Sequence, residues 1–550
     1  MSGQEGLFKA APVDSQRPQA RPAAVGKKFR AFDPHQVLLM PPSLDDWLPE
    51  GHLARFVADL VDEVLDLSAI LADYTEKRGF PPYDPRLMVR LLIYGYTTGV
   101  RSSRAIERRC ADDVAFRFLA AGQAPDFRSI ARFRRRHLDA LAGLFLQSLH
   151  LARKLGMVTM GRVALDGTKL EASASKHKAM SYGRLIDKEE RVEAEIAALE
   201  ATAAALLADA EATDTAEDAR FGTDGKDTDL PAELDRREKR LAKMQAARAQ
   251  IEAEAADKAR RRAEDTERRR QQHTGTEDEQ AVASAGDKAA AKARPKPKAQ
   301  ANFTDPDSRI MKNSDGAYIQ AYNAQAVVDE THQVITAADV TTNPSDALNY
   351  TSMLDQSATN TGVHPQQALV DAGYCSDANL EAATERQLSC GTDTFMATGR
   401  LGHDEQVPPA PRGRIPKDAT LKERMARKLR TKPGKAAYSR RKAIVEPVFG
   451  QIMTCQNGRQ LLLRGEDGAR GEWRLLAACH NLRKLFSYNI AAQIATGWQG
   501  RAQRVTATDP SSRGMRPARS RHHASETPPD ALRQDKSACR PDKPVIDPRT

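Results

Sequence analysis

Two short apolar runs in this chain each lead into an aspartate followed closely by glycine: Val163-Ala164-Leu165-Asp166-Gly167 and Ala368-Leu369-Val370-Asp371-Ala372-Gly373. An acid at the carboxyl end of a core strand can face an open crevice, where α/β sheets generally bind their ligands. Asp-Gly is equally an ordinary turn, so either run alone specifies little. A third acid, Glu446, lies in Ile444-Val445-Glu446-Pro447-Val448-Phe449-Gly450-Gln451, where Pro447 can open a helix. A glutamate in a first turn also serves simply as a partner for the helix dipole. Three carboxylates gathered together have a defined use. Hard oxygen ligands hold a pair of Mg²⁺ ions about 4 Å apart, and the metals clamp the attacking and leaving oxygens of an in-line phosphoryl displacement. Without cations or protons the three acids would repel one another. The fold is therefore expected to bring the carboxylates of Asp166, Asp371 and Glu446 within roughly 4 to 8 Å, with the two aspartates on adjacent core strands.

The elements that must position these acids follow from periodicity. Leu53, Phe56, Val57, Leu60, Val61, Val64 and Leu65 recur at helical spacing. Further helices are expected after Pro85, after Ser102 and Ser103, and from Leu138 to Gly156, so residues 35–156 read as an all-α module. Within it, Asp126 to Arg136 is a short basic amphipathic helix. Phe127, Ile130 and Phe133 are expected toward the core, and arginines including Arg128, Arg132 and Arg135 toward either solvent or phosphates. After Gly161 the run ending at Asp166 reads as a strand. From Leu185 to about Arg270 the chain is rich in Ala, Glu, Lys and Arg, with Val192, Ile196, Leu199, Leu206, Leu234, Leu241, Met244 and Ile251 as a sparse apolar seam. Gly222 to Gly225 and Pro231 divide it into the two arms of a coiled-coil hairpin. Residues 271–300 read as a linker. Strands are expected at 316–328 and 333–340 with a turn at Asp329 to His332, then at Gln367 to Val370, with helices at 377–385, 437–454 and 472–486.

The chain has 550 residues with 84 Lys plus Arg against 74 Asp plus Glu, a net +10 that leans toward nucleic acid as a partner without requiring it. No run of 18 apolar residues occurs, and residues 1–30 lack the apolar core of a signal peptide, so neither membrane insertion nor secretion is expected. Six scattered cysteines form no C-x-x-C pair and read as thiols of a reducing cytoplasm. Residues 1–34 are a polar leader, and 500–550, rich in Arg, Pro, Ser and Asp, form a basic tail expected to be disordered. His177, His332 and His480 read as hydrogen-bonded structural histidines and Trp473 as core packing.

Five stretches in order carry a resemblance: Val163 to Lys169, Ala174 to Tyr182, Tyr322 to Asp329, Asp371 to Tyr374 and Val445 to Gly450. Together they resemble the DDE transposases of bacterial insertion sequences, specifically insertion-sequence group eleven-eighty-two, from about Phe32 to Phe486. The resemblance implies an α/β ribonuclease-H-like catalytic core over residues 157–499. It places 187–300 as an inserted helical hairpin and linker, with the N-terminal helical domain as a DNA-binding module. It implies Asp166, Asp371 and Glu446 as the catalytic, metal-binding triad, using two Mg²⁺ ions or Mn²⁺ in their place. The reaction implied is cleavage at the terminal inverted repeats and strand transfer into target DNA, by a homodimer when DNA-bound, in the cytoplasm at the nucleoid. Around its Glu the family carries a Tyr, an Arg and a later Lys thought to position element-end DNA. Here Tyr438 fits, either Arg441 or Lys442 fills the Arg place because the interval holds one extra residue, and the Lys place is Met453. Lys169 and the basic stretch Lys422 to Lys432 are further candidates for DNA contact, with solvated surface the alternative.

A metal-dependent nuclease without strand transfer, or a non-catalytic DNA-binding scaffold, would share much of this pattern. Met453 cannot make a charge-assisted phosphate contact. A Met453→Lys variant is therefore expected to bind end-containing duplexes more tightly, with a salt dependence steeper by about one counterion. A filter-binding series across salt concentrations checks it; unchanged affinity and slope would mean that position 453 does not meet DNA.

Overall fold

The computed structural model describes residues 43–75, 82–174, 179–214, 230–275, 277–297, 299–302, 304–313, 315–399, 409 and 412–506. The leader, His177 with its neighbours 175–178, the hairpin break at 222–225 and the tail beyond 506 lie outside them. The chain divides into Met1–Ala491 and Ala492–Thr550. The first unit is described here; of the second, only the backbone of residues 492–506 is described, and it is helical.

Seven helices come first: α1 (Leu53–Asp59), α2 (Ser68–Leu71), α3 (Pro85–Thr98), α4 (Ser103–Asp112), α5 (Val114–Leu119), α6 (Phe127–Arg136) and α7 (Leu138–Lys154). Their starts are set by local chemistry. Asp84, Ser102, Asp113 and Asp126 each accept a hydrogen bond from a first-turn backbone amide. Beyond α7, Gly156 takes a positive φ of 72°, which turns the chain out of the helix. The first apolar run is α1 continued by a π turn at Leu60–Val64, and α2 and α5 are short helices that periodicity did not signal.

Strand β1 (Arg162–Glu171) then opens the sheet. It does not end at Asp166 as expected, because the long β5 (Tyr318–Asp329) pairs antiparallel with it from Val163↔Asp329 to Glu171↔Ala321. On its other side, β1 pairs parallel with β7 (Gln367–Val370), which stops at Leu165↔Val370. The next residues, Asp166 and Asp371, thus emerge side by side where the parallel ladder ends. β8 (Asp393–Met396) extends the sheet beyond β7 in parallel. β4 (Arg309–Lys312) and β6 (Ile335–Thr341) lie in succession along the far edge of β5, both antiparallel. The order is β6-β5-β1-β7-β8 with only β5 running against β1.

Both faces of the sheet are covered, so β5 is buried along nearly all of its length rather than alternating with solvent. One face, with Ala164, Ala324, Ala326, Val328 and Leu369, packs with α1–α7, α14 (Lys432–Thr454) and α15 (Glu466–Thr506) in one continuous core. The other, with Val163, Leu165, Val327, Ala368 and Val370, packs with α11 (Tyr350–Thr361) and α12 (Asp377–Ser389). The amino-terminal helices therefore share a core with the sheet. Between β1 and β5 the chain runs through β2 (Ala179–Ser181), α8 (Tyr182–Asp214), α9 (Leu230–Thr274), α10 (Glu279–Lys292) and β3 (Gln300–Asn302). α8 and α9 are antiparallel, with Arg248 on Glu189 and Arg237 on Glu195, and bury Leu185, Val192, Ile196, Met244, Ala247 and Ile251 in a separate small core. Much of the expected linker at 271–300 is instead helix: α9 runs on to Thr274, and α10, packed on α9, occupies Glu279–Lys292. Its alanine-rich run is a good helix former once a neighbour buries Val282 and Gly286.

Helix α13 (Leu421–Arg430) precedes α14. Thr431 caps α14, so Glu446 and Pro447 lie inside that helix, not at its first turn. A proline there leaves the carbonyl four residues earlier without its helical partner. That carbonyl, Ala443, accepts from Gln333 Nε2 at 2.9 Å instead.

The junction between the amino-terminal helices and α15 is built on Glu472, which is fully buried. Its Oε1 accepts from Arg101 Nη1 at 2.9 Å and Tyr96 OH at 3.0 Å, and its Oε2 from the amides of Leu462 and Leu463 at 2.7 and 2.9 Å. Arg134 of the basic helix α6 turns inward to Tyr96 OH and the Arg101 carbonyl. Removing one member of a buried charge pair strands the other. Glu472→Ala is expected to cost about 3–5 kcal/mol, seen as an early unfolding transition in chemical denaturation; a variant as stable as the parent would show that the network is not holding the junction.

Candidate active site

Side-chain alternation along β1 sends Ala164 and Asp166 to the α14 face of the sheet and Gly167 and Lys169 mainly to the α11 face. Asp371, one residue past the end of β7, accompanies Asp166. Across them lies Arg441 of α14, with Nη1 2.8 Å from Asp166 Oδ2 and Nη2 3.5 Å from Asp371 Oδ1. Burial pushes the Asp166 carboxyl above the ordinary carboxylate range, while the Arg441 charge and the Gly167 amide, 2.9 Å from Oδ1, draw it back. Burial disfavours the Arg441 charge, yet Asp166, Tyr438 and Asp371 outweigh it and hold the guanidinium above its usual value. Tyr438, one turn earlier on α14, is half-buried beside Arg441, and burial raises its phenol. The site is thus a pair of partly desolvated carboxylates balanced by one cation. Of Arg441 and Lys442, Arg441 meets the aspartates and Lys442 is exposed.

Glu446 is exposed on α14. It stands five residues after Arg441, about 140° further around the helix at 3.6 residues per turn. Among the described residues no group of three His, Cys, Asp or Glu stands ready to hold a metal ion, so the structure brings Asp166 and Asp371 together and leaves Glu446 apart. Met453 is half-buried against the main core. Arg128, Arg132 and Arg135 are exposed on α6, spaced so as to form one stripe, and Arg104 of α4 lies over the Phe127 ring at 4.8 Å. Lys428 in α13 is not free surface charge: it pairs with Asp393 and donates to the Thr394 carbonyl at 2.8 Å.

Lys169 turns away from the aspartates to Asp346, 2.9 Å away on the other face. Asp346, in the turn after β6, was not singled out by sequence. Its signal was the Asn343-Pro344-Ser345-Asp346 turn cluster directly after a strand. Asn323 and Gln325 of β5 also donate to its Oδ1, at 2.7 and 3.0 Å, and Tyr374 donates to Gln325 Oε1. Burial, reinforced by Asp346, Asp166 and Asp371, holds the Tyr374 phenol well above its ordinary value, which keeps it a donor. Trp473 is buried as expected, donating to the Gln325 carbonyl at 3.0 Å. His480 is likewise structural: burial lowers it to about 4, and its Nε2 lies 3.0 Å from the Gln333 carbonyl.

Two family models match the chain, a Transposase domain (DUF772) over residues 42–136 and a Transposase DDE domain over residues 288–482. The first covers α1 to α6 and the second covers Asp371 and Glu446, with Asp166 upstream of it. These matches support a transposase. More particularly, they support an insertion-sequence transposase of the DDE kind, a class whose members act on DNA and generally use divalent metals. No curated protein and no solved structure matches the chain. Among the described residues no helix is long and apolar enough to cross a membrane.

Gly167 has no room for a side chain: a Cβ there would collide with Gln325 Nε2 and stand 2.9 Å from Asp346 Oδ1. Gly167→Ala is expected to lose about 1–3 kcal/mol of stability through overpacking. Denaturant titration checks this, and an unchanged midpoint would show that the polar network yields to the methyl group.

Proposed function

We propose that this protein is the transposase of a bacterial insertion sequence resembling group eleven-eighty-two, cutting DNA at the element's ends and joining them to a target. The observation that carries the reading is the emergence of Asp166 and Asp371 side by side where the parallel β1–β7 ladder ends, sharing one cation. A sheet ordered β6-β5-β1-β7-β8 with β5 reversed supports a ribonuclease-H-like core, and the α8–α9 hairpin supports a coiled-coil insertion between its first two strands.

The donor set suits Mg²⁺ or Mn²⁺: both partners are carboxylates, they are partly desolvated, and they already require a positive charge between them. Asp166 and Asp371 would hold the metal with Glu446, and the bound ions would activate water or a 3′-hydroxyl and stabilise the charge developing on the phosphate. The chain's own contribution is positional. The parallel register fixes the spacing of the two aspartates, and Arg441 balances their charge. Glu446, the third acid of the proposed triad, is carried on the same helix as Arg441. Phosphate contacts fall to the stripe Arg128, Arg132 and Arg135 and to Lys442; Tyr438 steadies Arg441. Lys169 acts through Asp346 instead of on DNA. Because two ends are joined, the working form is a DNA-bound homodimer.

Asp166→Asn, Asp371→Asn and Glu446→Gln are each expected to abolish Mg²⁺-dependent cleavage of end-containing duplexes while DNA binding stays largely intact, since the amides keep shape and lose ligand charge. A gel assay for cleaved and joined products checks it. Full cleavage by any of the three sinks the triad, and cleavage without joined products by the unaltered protein indicates a nuclease in place of a transposase.

A further inference from the structure

Asp346 occupies an unusual place. Its Oδ1 gathers three donors, Lys169 Nζ at 2.9 Å, Asn323 Nδ2 at 2.7 Å and Gln325 Nε2 at 3.0 Å. The same carboxylate is wedged between the two glycines that follow the aspartates: a Cβ on Gly167 would stand 2.9 Å from Oδ1, and one on Gly373 3.1 Å from Oδ2. Glycine at both positions lets the acid approach the backbone of β1 and of the turn after β7 at once. That turn is itself held: Tyr374 donates to Gln325 Oε1, and Asn379 Nδ2 donates at 2.7 Å both to the Tyr374 carbonyl and to the Ala347 carbonyl beside Asp346. Asn323 and Gln325 are buried, so these bonds are shielded from competing water.

Arg441 approaches Asp166 and Asp371 from the α14 face, while Asp346 braces the residues next to them from the α11 face. Neither the paired register nor the helices requires a charged residue there. We infer that Asp346 is a positioning residue, which with Lys169, Asn323, Gln325 and Tyr374 fixes the separation of Asp166 and Asp371 for a shared divalent cation. The inference rests on the transposase reading above. Asp346 itself is not a ligand in this account: its Oδ1 is committed to Lys169 and the two amides, and its Oδ2 lies against the backbone at Gly373.

The test is a titration of the full chain with Mn²⁺, followed by electron paramagnetic resonance, alongside thermal unfolding. Asp346→Asn is expected to weaken Mn²⁺ binding by about tenfold or more, as loss of outer-sphere support does, with the unfolding midpoint close to that of the parent. Asp346→Glu, which keeps the charge but lengthens the reach, should restore only part of the affinity. Asp166→Asn is the control and should lose binding outright. An Asp346→Asn variant with unchanged Mn²⁺ affinity overturns the positioning role, and so does one that loses binding as completely as Asp166→Asn, which would make Asp346 a direct ligand. Should Asp346→Asn prove unstable, Tyr374→Phe removes the same brace at one hydroxyl and must weaken Mn²⁺ binding in the same direction; unchanged affinity there overturns the inference too. Absence of Mn²⁺ binding by the parent chain overturns the transposase site together with this inference, whereas binding lost in Asp166→Asn but untouched in Asp346→Asn overturns the inference alone.

Discussion

Everything else in this molecule depends on how one buried carboxylate, Glu472, is satisfied. A charge removed from water must find donors, and this one finds four: Arg101, Tyr96 and two backbone amides. Two of the four, Tyr96 in α3 and Arg101 in the turn between α3 and α4, come from the amino-terminal region, so that region cannot separate from α15 without stranding it. The next residue, Trp473, faces the sheet and holds the carbonyl of Gln325, whose side chain in turn reaches Asp346. A path of hydrogen bonds and neighbouring residues therefore runs from the matched amino-terminal domain to β5, the strand paired with β1.

The same logic of compensated burial governs the site. Asp166 is disfavoured as an anion by its surroundings, and Arg441 makes its ionisation tolerable. On the opposite face Asp346 and Lys169 repeat the arrangement with the signs fixed by a three-donor cradle. The two ion pairs sit on either side of one strand, β1, and leave the aspartate pair poised between a rigid rear and a helical front.

Much of this could be read from sequence, and the reasons differ by element. The apolar runs Val163-Ala164-Leu165 and Ala368-Leu369-Val370 are short and lead into Asp, so both strands were legible, as was their adjacency once a parallel pairing was supposed, but only the second ends before its aspartate. The continuation of β1 past Asp166 was not, because Gly167, Thr168 and Lys169 carry no strand signal; the length of β5 dictates it. Pro447 misled for a physical reason. A proline favours the first turn of a helix, but it is tolerated further along when another donor takes the orphaned carbonyl, and Gln333 comes from 114 positions away in sequence. Arg134 was hidden among four neighbouring arginines, since composition cannot tell which member of a basic helix turns inward. Asp346 was invisible as a site residue because its role depends on two glycines in different elements.

The proline in α14 has a mechanical side. The hydrogen bond it removes would have run from residue 447 back to Ala443, a span that begins two residues after Arg441 and encloses Glu446. One half of the helix is moored to the aspartates and the other carries the remaining acid of the proposed triad. Within that turn α14 lacks one of its own backbone hydrogen bonds. A side chain from the β5–β6 turn, Gln333, holds the freed carbonyl from outside and so ties α14 to the edge of the sheet where β6 ends the ladder. The β5–β6 hairpin and α14 thus share a fastening one glutamine long.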